Sequence, residues 1–107
     1  MTSLEEAERS LLGPGGPFEL RRERVLGHDM TVFARRIPSL RAMLESSRGH
    51  GDAEYCVSED RRLTFAEHLR CVAAFARALR ATYGVDKGDR VAILAENGPE
   101  WIVAFWA

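Results

Sequence analysis

Arg90-Val91-Ala92-Ile93-Leu94-Ala95-Glu96-Asn97-Gly98-Pro99-Glu100-Trp101-Ile102-Val103-Ala104-Phe105-Trp106 carries two patterns back to back. Arg90 to Ala95 is a nearly continuous apolar run, as expected of a strand covered on both faces. Asn97-x-x-Glu100, with Pro99 in the first turn, has the chemistry of a helix start, and the apolar residues through Trp106 continue that helix. Upstream, Asp86-Lys87-Gly88-Asp89 is a turn and Gly84 is a natural helix C-cap. Before it lies the longest helical pattern of the chain. Phe65, Leu69, Val72, Ala76, Leu79 and Tyr83 recur at steps of three or four and predict one buried face. Glu67, Arg70, Arg77 and Arg80 are then expected in water, and His68, on the first turn, is read as solvated. Thr64-x-x-Glu67 is a capping box that opens this helix. Helix, apolar strand, helix is the order of a parallel α/β sheet.

Further outward, Glu54 to Ser58 and Arg61 to Phe65 flank Glu59-Asp60 and predict a short antiparallel ribbon. Arg48 to Asp52 reads as a polar, glycine-rich loop containing His50, which has no evident partner. Pro38-Ser39 begins another helix, with Ser39 as N-cap and Leu40, Met43 and Leu44 as its inward stripe, ending near Ser47. Phe18 to Leu26 alternates in part, Gly27-His28-Asp29 is turn chemistry, and Met30 to Phe33 returns as a second strand. A β-hairpin is the expected result. At the N-terminus Ser3-x-x-Glu6 is a capping box ahead of Leu4, Ala7, Leu11 and Leu12, and Gly13-Pro14-Gly15-Gly16-Pro17 breaks that short helix. The expected division is a peripheral arm over 1–17 and an incomplete subdomain over 18–107.

Composition excludes several classes of function. Fifteen Lys+Arg against sixteen Asp+Glu leave a net charge of −1 over 107 residues, and basic and acidic residues are balanced in both halves. No basic field is available for nucleic acid. Lys87 is the only lysine; the arginine excess and the alanines at 73, 74, 76, 78 and 81 read as codon usage of a GC-rich bacterial genome. The longest apolar stretch, Trp101 to Ala107, is far short of the ~20 residues of a membrane span. No signal peptide is evident, and the expected location is cytoplasmic. Cys56 and Cys71 lack a CxxC or His/Cys neighbourhood and are expected as free thiols; a secreted chain with one disulfide is the alternative.

Catalytic constellations are missing. There is no GxGxxG, GxxxxGK[ST], HExxH or GxSxG. Leu94 to Pro99, a strand–turn–helix junction, is the one phosphate-binding candidate, but Glu96 and Glu100 bring negative charge and Pro99 removes a donor. Glu96 and Glu100 as an acid/base pair lack a nearby nucleophile. Arg21, Arg22, Arg24, Arg35 and Arg36 could hold an anion; interspersed acids make a solvated hairpin face the preferred reading. His28 is read as a structural turn residue. No catalytic, cofactor-binding or metal-ligating residue is assigned.

From Phe18 onward the chain resembles the N-terminal portion of bacterial acyl-CoA synthetases of the AMP-forming, adenylate-forming family. The residues that carry the likeness are Pro38-Ser39-Leu40, Arg61-Arg62-Leu63-Thr64-Phe65-Ala66-Glu67, Gly84-Val85-x-x-Gly88-Asp89-Arg90-Val91-Ala92-Ile93-Leu94 and Asn97-Gly98-Pro99-Glu100-Trp101, followed by Ala104-Phe105-Trp106-Ala107. The resemblance implies an α/β fold: the N-terminal portion of the family's large domain, with β-hairpins, a long amphipathic helix and the first parallel strand–helix unit. It implies a parent fatty-acid–CoA ligase-like enzyme that uses ATP, Mg²⁺ and coenzyme A to make an acyl-adenylate and then a thioester. The acid could be long-chain, medium-chain or aryl.

The family's phosphate loop and catalytic lysine belong to later segments, and Lys87 does not match that lysine. The chain is therefore expected to be an inactive fragment whose partner is the remainder of the parent ligase, with no cofactor bound by these residues. The rival expectation is a stand-alone α/β interaction module that self-associates through the Trp101–Trp106 helix. A third is a small nucleotide-binding domain.

Overall fold

The computed structural model describes residues 3–107. They divide into two units, Met1–Pro38 and Ser39–Ala107.

In the first unit α1 (Leu4–Leu12) is opened by the Ser3 capping box. The Ser3 amide donates to Glu6 Oε2 at 2.9 Å and the Glu6 amide donates to Ser3 Oγ at 3.2 Å, which satisfies two of the helix's free donors. The chain then folds back so tightly that a Cβ on Gly16 would lie 2.5 Å from the Leu11 carbonyl oxygen. Only glycine permits that approach. Strands β1 (Leu20–Val25) and β2 (His28–Phe33) pair antiparallel from Leu20↔Phe33 to Val25↔His28.

The connection is therefore the two-residue turn Leu26-Gly27, with φ of 49° and 88°. Positive φ at both central positions is the twist-matched hairpin geometry. His28 and Asp29, expected in the turn, stand in β2 instead. Glycine at the second position fits the geometry and displaces the turn by one residue from the reading made on composition.

In the second unit α2 (Leu40–Ser46) is capped by Ser39, whose Oγ accepts from the Ala42 amide at 3.1 Å. A 3₁₀ turn over Ser47–His50 follows where a loop was expected. Strands β3 (Glu54–Ser58) and β4 (Arg61–Thr64) pair antiparallel, with a register shift between Glu54 and Cys56 that leaves Tyr55 as the extra residue. Such a bulge re-aims the side chain it carries. Thr64 ends the ribbon and caps α3 (Phe65–Tyr83): its Oγ1 accepts from the Glu67 amide at 3.1 Å, and its amide donates to Glu67 Oε2 at 2.9 Å. Phe65, expected at the end of the strand, is the first helical residue. Gly84 closes α3 in the left-handed conformation, φ 67°.

Helix α4 (Pro99–Trp106) starts at Gly98, which offers no side-chain cap. Asn97 does not take the capping role its spacing suggested: the helix begins one residue later, with Gly98 at the N-cap, and Glu100 pairs with Arg61 of β4, 2.6 Å away.

Arg90–Ala95 forms no strand. The described residues contain two two-stranded sheets, β1–β2 and β3–β4, and neither includes this segment. A parallel strand depends on ladder bonds to a neighbour and on cover over both faces; here Leu94 is 101% exposed and Val91 57%. The expected parallel strand–helix unit is thus replaced by an uncovered segment leading into α4. The architecture is mixed helix and antiparallel ribbon.

Burial on α3 differs from its predicted stripe. His68 (2% exposed) and Val72 (4%) are its buried residues, whereas Tyr83 is 72% exposed. The predicted stripe holds from Phe65 to Leu79, with Val72 buried and Phe65, Leu69, Ala76 and Leu79 half-buried; His68 joins it and Tyr83 falls outside.

Candidate functional site

The bulge at Tyr55 and the capped start of α3 bring aromatic rings together. Tyr55 lies 4.4 Å from the His68 ring and 4.8 Å from the Phe65 ring, and Phe65 lies 4.5 Å from His50 (all between centroids). Four rings thus run in sequence, with a histidine at each end. Tyr55 and His68 also line a pocket of 180 Å³ together with Met43, Leu44, Ser47 and Trp106. His68 Nε2 is buried with no hydrogen-bond partner. A buried polar group left in that state costs roughly 1–3 kcal/mol. Burial also pushes the His68 pKa below its ordinary value, so the neutral ring is favoured.

His68, read as solvated, is thus the most buried polar residue described. Its position four residues before Val72, on the same helical face, is the sequence signal that could have placed it inside.

A larger apolar groove of 460 Å³ lies between β4, α3 and α4. Leu63, Phe75, Ile93, Trp101, Val103 and Ala104 supply most of its wall, with Arg61 and Glu100 at hand as an ion pair. The exposed Cys71 borders it, and Cys56 is half-buried; both thiols are free. Trp101 and Phe105 stack within α4 at 5.6 Å with their planes 7° apart. This groove can accept apolar surface. It offers no nucleophile–base pair.

The anion and acid/base candidates come apart. Glu100 is held by Arg61, whose guanidinium keeps the carboxyl below its ordinary pKa. Glu96 is exposed. The two therefore do not form an acid/base pair. Four of the five hairpin arginines are taken up locally, and Arg24 is exposed. Arg36 and Arg21 both bind Glu23, at 2.8 and 2.7 Å, and Arg36 first, then Arg21, lowers its pKa. Arg22 donates to Thr31 across the ribbon at 3.2 Å, and Arg35 donates to the Gly16 carbonyl. That is the solvated, self-paired face.

No cluster of three or more His, Cys, Asp or Glu that could hold a metal ion occurs among the described residues. Lys87 is exposed in the turn between Asp86 and Asp89, whose side chain binds the Asp86 amide at 2.8 Å. The α4 start lacks one amide donor at Pro99 and carries Glu100 in its first turn. No described helix is long and apolar enough to cross a membrane.

The sequence model of a family described as AMP-binding enzyme matches residues 43–107, a span that takes in β3, β4, α3 and α4. No curated protein and no solved structure matches the chain.

Proposed function

The chain belongs to the AMP-binding enzyme family, and from that premise we propose that its residues serve as a scaffold segment of an ATP-dependent acid–CoA ligase. The parent reaction is acid, ATP and coenzyme A to acyl-CoA, AMP and pyrophosphate, with a fatty acid as the substrate class. The family match over 43–107 is the observation that carries this reading. The order of the motifs from Pro38 to Ala107 supports it. The role assigned here is structural: α3, the β3–β4 ribbon and α4 provide apolar surface, and the adenylating groups come from other residues of the enzyme. The 107 residues by themselves are inactive in this reading.

The gene beyond codon 107 tests it. A Ser/Thr/Gly-rich loop ending in Pro-Lys-Gly within the following hundred or so codons is expected. A stop codon directly after Ala107 would contradict it.

A second reading has its own observation. Phe105 on α4 is 48% exposed, so self-association through the Trp101–Trp106 helix would remove apolar surface from water. Light scattering decides: a mass that rises with concentration and falls to a folded monomer in Trp101→Asp supports it, and a monomer at all concentrations excludes it.

A further inference from the structure

Residues 90–97 have a backbone without a protein partner. Among the described residues no backbone hydrogen bond includes any of them, and neither ribbon extends to them. Their side chains alternate. Ile93 and Ala95 line the groove against Leu63 and Phe75, whereas Arg90, Ala92, Leu94 and Glu96 are exposed, Leu94 completely. Alternation of this period is that of extended chain. An apolar run containing Val91 and Ile93, with its ladder groups unpaired, is a template for another strand.

The charges at its two ends indicate which strand. Arg90 and Glu96 belong to no ion pair among the described residues. They stand on one face and are placed symmetrically about Ile93. Antiparallel pairing of two copies with Ile93 opposite Ile93 sets Arg90 of each copy opposite Glu96 of the other. Opposite charges directly across a pair stabilise it. The same register sets Val91 opposite Ala95 and Ala92 opposite Leu94, apolar against apolar. A slip of one residue in one direction sets Asp89 opposite Glu96, and in the other sets Val91 opposite Glu96. Either slip also turns the groove-facing side of one copy to the solvent side of the other. Parallel in-register pairing stacks Arg90 on Arg90 and Glu96 on Glu96. One register therefore satisfies the charges and the apolar residues together, and two-fold symmetry makes the match twice.

We propose that residues 90–96 are an interface for a second copy of this chain: the two segments pair antiparallel about Ile93, with Arg90 of one copy against Glu96 of the other at each end. The surface is distinct from the α4 face, and the inference stands independently of the acid–CoA ligase reading.

Charge exchange on the 107-residue chain, with mass followed by light scattering, tests it. Both charged residues are exposed and lie outside every helix and ribbon, so their exchange leaves the fold intact. The wild-type chain should dimerise as its concentration rises. Arg90→Glu and Glu96→Arg should each weaken the dimer about tenfold or more. Mixing the two variants should restore a 1:1 dimer, because each like-charged end of one then meets the opposite charge of the other. In a mixture of ¹³C-labelled and unlabelled wild-type chains, isotope-filtered NMR should place Val91 of one copy against Ala95 of the other. A dimer indifferent to both variants, or a mixture no tighter than either variant alone, overturns the proposal; loss of that dimer in Trp101→Asp would assign it to α4. A wild-type chain that is monomeric at every concentration overturns it as well, and leaves the segment to another part of the parent enzyme.

Discussion

Arg61 on β4 and Glu100 on α4 meet at 2.6 Å, an ion pair that ties the end of the short ribbon to the start of the last helix. With Gly98 at the N-cap, Glu100 is the second helical residue rather than the third that a capping box from Asn97 requires, and its carboxyl pairs with Arg61 instead. Both side chains are about two-thirds exposed, so the pair orients more than it stabilises. The Arg61 guanidinium holds the Glu100 carboxyl below the ordinary carboxylate range, first by hydrogen bonding and then by charge. In NMR titration Arg61→Gln should return Glu100 to its ordinary range. An unchanged Glu100 in that variant would show that the pair is not formed in solution.

The turn at Leu26-Gly27 stores local strain. Leu26 holds φ 49° and is 96% exposed, so it gains nothing from packing in return. Asparagine tolerates this conformation far better than leucine. Leu26→Asn should stabilise the hairpin by roughly 0.5–1 kcal/mol, read as slower hydrogen exchange at the β1–β2 ladder amides. Gly27→Val should do the reverse, because a β-branched residue at φ 88° is strongly disfavoured.

His68 makes stability depend on acidity in a defined window. Unfolded, its ring titrates near the ordinary value of 6.5; folded, burial lowers that value. The unfolded chain therefore takes up the proton first, and stability falls as pH drops below 6.5, by at most about 1.4 kcal/mol per pH unit. The fall stops once the folded ring also titrates. Glu45, Glu67 and Glu100 are held below the ordinary carboxylate value of 4.5 by Arg48, Thr64 and Arg61 respectively, and their contribution is lost only at lower pH. Denaturant unfolding between pH 7.5 and 4.5 should show the first slope in the wild-type chain and a flat response in His68→Phe.

Local signals in the sequence proved reliable. The capping boxes at Ser3/Glu6 and Thr64/Glu67 and the left-handed cap at Gly84 depend on residues within one helical turn, and all three are present as read. The local misreadings are shifts of one residue, at the Leu26-Gly27 turn, at Phe65 and at the start of α4; the larger ones concern relationships across the chain. Whether Arg90–Ala95 is a strand depends on a partner to pair with, and its composition cannot supply one. Whether His68 is inside depends on how far the elements packed on α3 extend beyond the predicted stripe, which helical periodicity does not give. Tyr55 reaches His68 because of a bulge, and a bulge leaves almost no trace in a five-residue strand. The cavity beside His68 was therefore not legible.

The central claim is that these residues are a scaffold within an adenylate-forming enzyme and carry none of its chemistry. ATP–pyrophosphate exchange, measured with a panel of carboxylic acids on the 107-residue chain and on the product of its full reading frame, tests it most directly. The account predicts exchange from the full product and none above buffer from the 107 residues. Exchange by the 107-residue chain itself, or none from the full product with any acid, would contradict it.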